Sequence, residues 1–356
     1  MRRRSFLTAL GALAASRDHE TPCEHPGGTF PAKVVALAES PVSSTNVVNV
    51  RSAPYNAKGD GVTDDSRAFT AAKAASNTIY VPPGVYRIAR FDGSDVTLRG
   101  AGRRVTTIQG DGDLVINAMR FNLERVTIRN VQRRGKLVSI AAGPDAGRSR
   151  FVDVEFDMAA NHVHADRVCV DWSFQDCVFN DASDVSRHFK TAWALKEIGC
   201  YSWYNLVGLR ITGGTTISSF GCVYEFNKSQ AVILSATAGG TINNVIFEGV
   251  HFESNGNVNH TESVRLETVA AERIRNVAFS SCAFMALKGA HHVVATAGGG
   301  GNIARVSFRD VFASANLMNA GFAPIFDNVE MNTDTPPVDA LVVESLLAKV
   351  QGLLHT

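Results

Sequence analysis

Two glutamates stand among apolar neighbours in short segments with strand-like alternation. Glu225 lies in Cys222-Val223-Tyr224-Glu225-Phe226-Asn227-Lys228, and Glu253 lies in His251-Phe252-Glu253-Ser254-Asn255-Gly256. Alternation turns each carboxylate to the face opposite an inward aromatic. Two carboxyl groups facing one bond are what glycoside hydrolysis needs, one to protonate the leaving oxygen and one to attack or activate water. Asp157, after Phe156, is a third candidate. Packing against apolar side chains raises a carboxyl pKa, which suits a general acid near neutral pH. The plainer role for all three is a solvated surface charge.

Elimination or epimerisation beside a uronate would instead need a base and a cation for the developing charge. His162, His164, Asp166, Lys190, Lys196 and His260 have the right chemistry. His162-x-His164 offers two imidazoles, but no third ligand follows at a convincing spacing and no CxxC pair exists. Neither a metal nor another cofactor is expected. Aromatics gather between residues 172 and 204: Trp172, Trp193, Tyr201, Trp203 and Tyr204. Sugar C–H faces stack on exposed rings, so Tyr201, Trp203 and Tyr204, read as an insertion, are the expected saccharide contacts. His162, His164 and His260 accompany them.

A repeat must position these residues. The pattern apolar, any, small or polar, Val or Cys, any, apolar occurs at Phe151–Phe156, Phe174–Phe179, Phe247–Phe252 and Phe279–Phe284. Weaker copies start at Ile128, Leu206, Phe308 and Phe326. Asn130, Asp153, Asp176, Asp310 and Asn328 fall at the third position, where Asn and Asp tolerate a left-handed bend. The unequal spacing describes one coil of about two dozen residues carrying loops of variable length. Stacked coils put Phe on Phe about 4.8 Å apart. The residue after each motif then forms an outward column: Asp157, Asn180, Thr212, Glu253, Met285 and Ser314. The expected fold is an all-β, right-handed single-stranded parallel β-helix with helices at both ends, beginning with the strands around Ile79 and Leu98. An antiparallel sandwich does not explain an aligned register over this length.

Asp64-Asp65-Ser66 supplies N-cap chemistry for a helix through residues 67–75. Val338 to Leu354, with Leu341, Val342, Ser345, Leu346 and Leu353 near one face, predicts an amphipathic helix at 338–356 after Pro336-Pro337. Residues 1–15 combine Arg2-Arg3-Arg4-Ser5-Phe6-Leu7 with a short apolar run, a pattern similar to a twin-arginine export signal. Residues 16–45 read as a flexible lead-in and 46–337 as the coiled domain. A periplasmic or secreted protein is expected, with no membrane span once the signal is removed. Among six cysteines, Cys177 and Cys282 occupy inward Val positions, and bridges Cys169–Cys177 or Cys200–Cys222 stay open. With 35 basic and 34 acidic side chains, the balance argues against nucleic acid as the partner.

The string Asn56-Ala57-Lys58-Gly59-Asp60-Gly61-Val62-Thr63-Asp64-Asp65, then Phe69, Ala72, Ala75 and Ile79-Tyr80-Val81-Pro82-Pro83-Gly84-Val85-Tyr86, resembles the opening of the pectate-lyase-3-type superfamily. That superfamily includes polygalacturonase-like and rhamnogalacturonase-like enzymes and phage tailspikes. The close resemblance covers about 35 residues and implies the β-helix, a polysaccharide partner, and structural roles for Asp60, Asp64 and Asp65. Monomer and trimer both stay open. The family's catalytic motifs do not carry over: Asn332-Thr333-Asp334 stands alone at the C-terminal end, and no Arg-x-Pro-x-x-Arg occurs. The expected activity is polysaccharide cleavage, hydrolase ahead of lyase, with epimerisation open. The alternative is a non-catalytic carbohydrate-binding or tailspike-like adhesion module.

Overall fold

Inward-facing columns of side chains run through the described residues, and the backbone winds round them; three of them position the outer face. The computed structural model describes residues 46–140, 146–237, 240–256, 262–285, 291–314, 317–320 and 324–331. Strands pair in parallel with the strand one coil on, and together form a parallel β-helix.

The first column is Ile79, Leu98, Leu123, Phe151, Phe174, Glu197, Ser219, Phe247, Phe279, Phe308 and Phe326. Its phenylalanines stack face to face: Phe151 on Phe174 at 4.7 Å, Phe247 on Phe279 at 5.1 Å and Phe279 on Phe308 at 5.0 Å. From Ile128 on, the third column is Ile128, Phe156, Phe179, Ser202, Tyr224, Phe252 and Phe284. Between them lie Val126, Val154, Cys177, Cys200, Cys222, Val250 and Cys282, all buried. Among the described residues the five cysteines are free thiols, so neither Cys169–Cys177 nor Cys200–Cys222 is bridged.

The repeat is therefore more regular than the sequence pattern indicated. Phe151, Phe174, Phe247 and Phe279 do share one column, but two coils separate Phe174 from Phe247. Those coils begin at Glu197 and Ser219, which an apolar-first pattern passes over. The copy placed at Leu206 is a misreading: Leu206 is exposed, and the adjoining strand Val207–Ile211 pairs with Val185–Ile198 and Gln230–Ala236 on another side of the coil. Ile128 belongs to the third column, so its copy starts at Leu123.

Left-handed bends at the third position appear at Arg125, Asp153, Asp176, Gly199, Gly221, Gly249, Ser281, Asp310 and Asn328, with φ between 50° and 61°. Asn130 is not among them; it is buried, and its amide donates to Gly112 O at 3.0 Å and to Arg134 O. A second bend follows each short outward strand at Asp181, Tyr204, Phe226 and Ser254. Behind it a buried ladder runs through the side chains: Asn205 Nδ2 donates to Asn227 Oδ1 at 3.0 Å, and Asn227 Nδ2 to Asn255 Oδ1 at 2.8 Å.

The helix Ser66–Ala75 buries Ala68, Phe69 and Ala72, and Phe69 meets Tyr86 and Phe91 edge-on. Asp65 is its N-cap residue but makes no side-chain cap bond. Its carboxylate instead accepts from the amides of Lys58 and Gly59, at 2.6 and 3.1 Å. Asp64 accepts from Ser66 N at 3.0 Å, and Asp60 from Val62 and Thr63 N at 2.9 and 2.8 Å. These three aspartates shape local turns. The expected signal, lead-in and C-terminal helix, together with Asn332-Thr333-Asp334 and His260, lie outside the described residues.

Candidate functional site

Successive coils each contribute one outward residue to a common ladder. The resulting column is Gln109, Arg129, Asp157, Asn180, Trp203, Glu225, Glu253 and Met285. Thr212, expected here, sits on a different side of the coil and donates from Oγ1 to Lys190 O. Trp203 and Glu225 take its place. Two positions earlier on the same strands lie Glu155, Val178, Tyr201, Val223 and His251.

Of the residues singled out from sequence, the middle of this face gathers Tyr201, Trp203, Tyr204, Glu225 and Glu253. Glu225 and Glu253 are registered opposite one another on adjacent coils, and both strands bury the intervening aromatic, Tyr224 or Phe252. The Tyr201 hydroxyl donates to Glu225 Oε2. His251 Nε2 lies 2.9 Å from Glu253 Oε2. Tyr201 packs edge-on to Trp203 at 5.6 Å, Trp203 lies 5.0 Å from Tyr204, and Tyr204 stacks on Phe226 at 5.6 Å. Tyr204 and Phe226 are exposed, at 44% and 39%. Tyr201 to Trp203 is a regular strand of the coil, not an insertion. Phe226 was not anticipated; its place one residue past Glu225, matching Tyr204 after Trp203, is the signal that would have found it.

Asp157 stands apart from the pair. Three coil steps separate it from Glu225, about 14 Å at ordinary strand spacing, too far to share one glycosidic bond. Its carboxylate accepts from Asn180 Nδ2 at 2.8 Å. Burial raises its pKa, aided by Glu155 and Asp181 and opposed by the Asn180 bond.

His162 and His164 do not join this face. His162 is buried, with Nδ1 2.8 Å from Ser186 Oγ, and burial and nearby Arg187 depress its pKa to about 3. A side chain so enclosed cannot touch a polymer outside. His164 points outward on another side of the coil, in register with His188 and then Arg210. There His164 Nε2 lies 3.2 Å from Asp166 Oδ1, and the His164 and His188 rings meet edge-on at 4.9 Å. Burial, together with His164 and Arg210, depresses the His188 pKa to about 4. Among the described residues no group of three or more His, Cys, Asp or Glu side chains is placed to hold a metal ion.

A parallel β-helix with an outward line of polar and aromatic side chains has known counterparts. Residues 47–285 match the family described as rhamnogalacturonase A/epimerase, pectate lyase-like. The chain belongs to that family. Among solved structures, it resembles the A-module of the mannuronan C-5 epimerase AlgE4 of Azotobacter vinelandii, at 15% identity and TM-score 0.55 over 82% of this chain and 98% of that one. It also resembles an endo-xylogalacturonan hydrolase of Aspergillus tubingensis, at 10% identity and TM-score 0.51 over 80% of this chain and 92% of that one. At these identities the likeness is one of fold. A 57-residue stretch is 46% identical to the pre-neck appendage protein of Bacillus phage phi29, and this match spans 15% of the family member described here and 7% of the phage protein. Among the described residues, no helix is long and apolar enough to cross a membrane.

Proposed function

We propose that this pectate lyase-like chain acts on a polysaccharide laid across the face that carries Tyr201, Trp203, Glu225 and Glu253, and hydrolyses it with the two glutamates as the working pair. The observation that carries the reading is the registered Glu225–Glu253 pair beside the exposed rings of Tyr204 and Phe226. Adjacent coils stand about 4.8 Å apart, which brings two outward carboxylates into the range of about 5–5.5 Å used by retaining glycosidases. Glu225, already accepting a hydrogen bond from Tyr201, takes the attacking role, and Glu253 protonates the leaving oxygen. The rings bind the apolar faces of neighbouring sugars.

A second reading is supported by His164, Asp166, His188 and Arg210. An imidazole kept neutral beside a guanidinium is the equipment for abstracting a proton next to a carboxylate. A non-catalytic binder would use the same aromatic face and neither set of titrating groups. A panel of neutral and acidic polysaccharides separates the three. Reducing ends alone indicate hydrolysis, reducing ends with an unsaturated product indicate elimination, and binding with neither product and no change in uronate configuration leaves the adhesion module. The Arg3-Arg4-Ser5-Phe6-Leu7 pattern supports action outside the cytoplasm. Replacing both arginines with lysine should retain the protein inside the cell, and undiminished export would refute the twin-arginine route.

A further inference from the structure

The first column is phenylalanine from Phe151 to Phe326 except at Glu197 and Ser219. These two coils are the ones whose outward strands carry Tyr201, Trp203 and Glu225. In the third column, the same coils put Ser202 between Tyr201 and Trp203, and Tyr224 between Val223 and Glu225. In these two columns the core is thus polar directly behind the outer cluster and apolar to either side.

The polar groups are bonded to one another. Arg187 Nε donates to Glu197 Oε1 at 2.6 Å, and the Tyr224 hydroxyl donates to Glu197 Oε2. Arg187 Nη1 donates to Ser186 Oγ at 3.2 Å and to Ser202 Oγ at 3.4 Å, and the guanidinium lies 3.9 Å from the Phe179 ring centroid. The asparagine ladder ties in from the far side: Asn205 Nδ2 donates to Ser202 Oγ at 3.1 Å, and Asn255 Nδ2 to Tyr224 O at 2.8 Å. Arg187, Glu197 and Tyr224 are all about 1% exposed or less.

We infer that the buried Arg187–Glu197–Tyr224 network is a positioning device, which holds the strands bearing Tyr201, Trp203 and Glu225 at a fixed height and tilt; the inference rests on the reading of that face as the working site. Stability alone gives no reason for it. Desolvating an ion pair roughly cancels its attraction, and well-packed apolar replacements often match or exceed it. Phenylalanine serves in the neighbouring coils. Stacked rings are less directional than hydrogen bonds and let a strand slide or rock by a fraction of an ångström. Charge-assisted bonds from three parts of the coil do not, and a working constellation needs that precision. Arg187, Glu197 and Tyr224 act through the backbone of Ser202 and Glu225 and touch no ligand themselves.

The test reads the outer face without a saccharide, so its failure is separate from failure to find a substrate. The chain has three tryptophans, and fluorotryptophan labelling gives Trp203 a resonance assignable by Trp203→Phe. Carboxyl-labelled glutamate gives Glu225 a titration curve assignable by Glu225→Gln. Two variants probe the network: Tyr224→Phe, and the apolar triple Arg187→Met, Glu197→Leu, Tyr224→Phe. Phe284→Leu, in the third column beneath Met285, is the control. The expected result is a displaced Trp203 resonance and a moved Glu225 midpoint in both network variants, neither in the control, with the triple melting at or above the parent. Should the triple not fold, Glu197→Gln takes its place with the same two readouts. Parent-like Trp203 and Glu225 signals in folded network variants overturn the proposal, as does an equal shift in Phe284→Leu.

Discussion

Glu225 and Glu253 face outward in register on neighbouring coils, two carboxylates on one ladder of a parallel sheet. Like charges directly opposite one another destabilise a sheet. The pair therefore stands against the interest of the fold, which argues against two incidental surface charges. Tyr201 reaches Glu225 from one side and His251 reaches Glu253 from its own strand. The rings of Trp203, Tyr204 and Phe226 continue the line on which a sugar chain would lie.

Acid should destabilise the coil through its buried histidines. The His162 pKa falls from 6.5 to about 3, chiefly through burial, and that of His292 to about 4 for the same reason. A depressed pKa means that the unfolded chain takes up the proton first. Stability is then fully present above about pH 6.5 and is lost as the pH falls toward 3, by up to about 1.4 kcal/mol per pH unit for a fully buried group. His162→Gln should flatten the dependence of urea midpoint on pH between 6.5 and 4 without abolishing it, because His292 titrates in the same window. An unchanged slope would show that His162 is protonated more easily than its enclosure implies.

Phe247→Ala should cost roughly 3–5 kcal/mol through the cavity it leaves. Phe247 stacks on Phe279 and meets Phe252 edge-on, so the loss opens two columns together. Chemical denaturation of the variant checks the figure, and a loss below about 1 kcal/mol would mean that the column collapses to fill the space.

The fold was readable because Phe, Val and Cys recur at inward positions and Asp or Asn at the bends. It failed at two coils for a physical reason. Glu197 and Ser219 sit where an apolar residue is expected, and a carboxylate is kept inside only by partners, Arg187 and Tyr224, that are distant in sequence or on another coil. Missing those coils put Leu206 and Thr212 in the wrong columns and made Tyr201–Trp203 look like an insertion. The outward register of Glu225 and Glu253 was legible because alternation turns Glu225 outward and the position after the repeat does the same for Glu253. Whether His162 lay inside or outside could not be read in the same way, since His162-x-His164 sits at the start of a strand whose phase is set by the bend before it. Arg210 and His188 carried no motif, and only the ladder brings them to His164.

Trp203→Ala should weaken saccharide binding about tenfold, and Tyr204→Ala by a similar or smaller factor, in keeping with about 0.5–1.5 kcal/mol for an aromatic contact beyond its buried area. The Trp203 ring bridges Tyr201 and Tyr204, so its loss also loosens both neighbours. Calorimetric titration with the best oligosaccharide from the panel provides the measurement. Affinities unchanged in both variants would move the binding face to the His164–Arg210 side.

Glu225→Gln and Glu253→Gln should each lower turnover by about 10²-fold or more, the scale of a lost general acid or nucleophile, with binding changed only a few-fold. The amide keeps the shape, and for Glu225 it can still accept from the Tyr201 hydroxyl, so melting temperature should hold or rise as the like-charge contact is removed. The two variants should also differ. If Glu225 attacks, a small anion such as azide can enter the space of a truncated Glu225→Ala side chain and restore turnover by direct displacement. If Glu253 is the acid, Glu253→Gln should spare substrates whose leaving group needs no proton, such as aryl glycosides with an acidic phenol. Turnover at parental level in both glutamine variants would end the case for the pair. With His164→Ala or His188→Ala then inactive and an unsaturated product in the parent reaction, proton abstraction on the His164–Arg210 side would take its place.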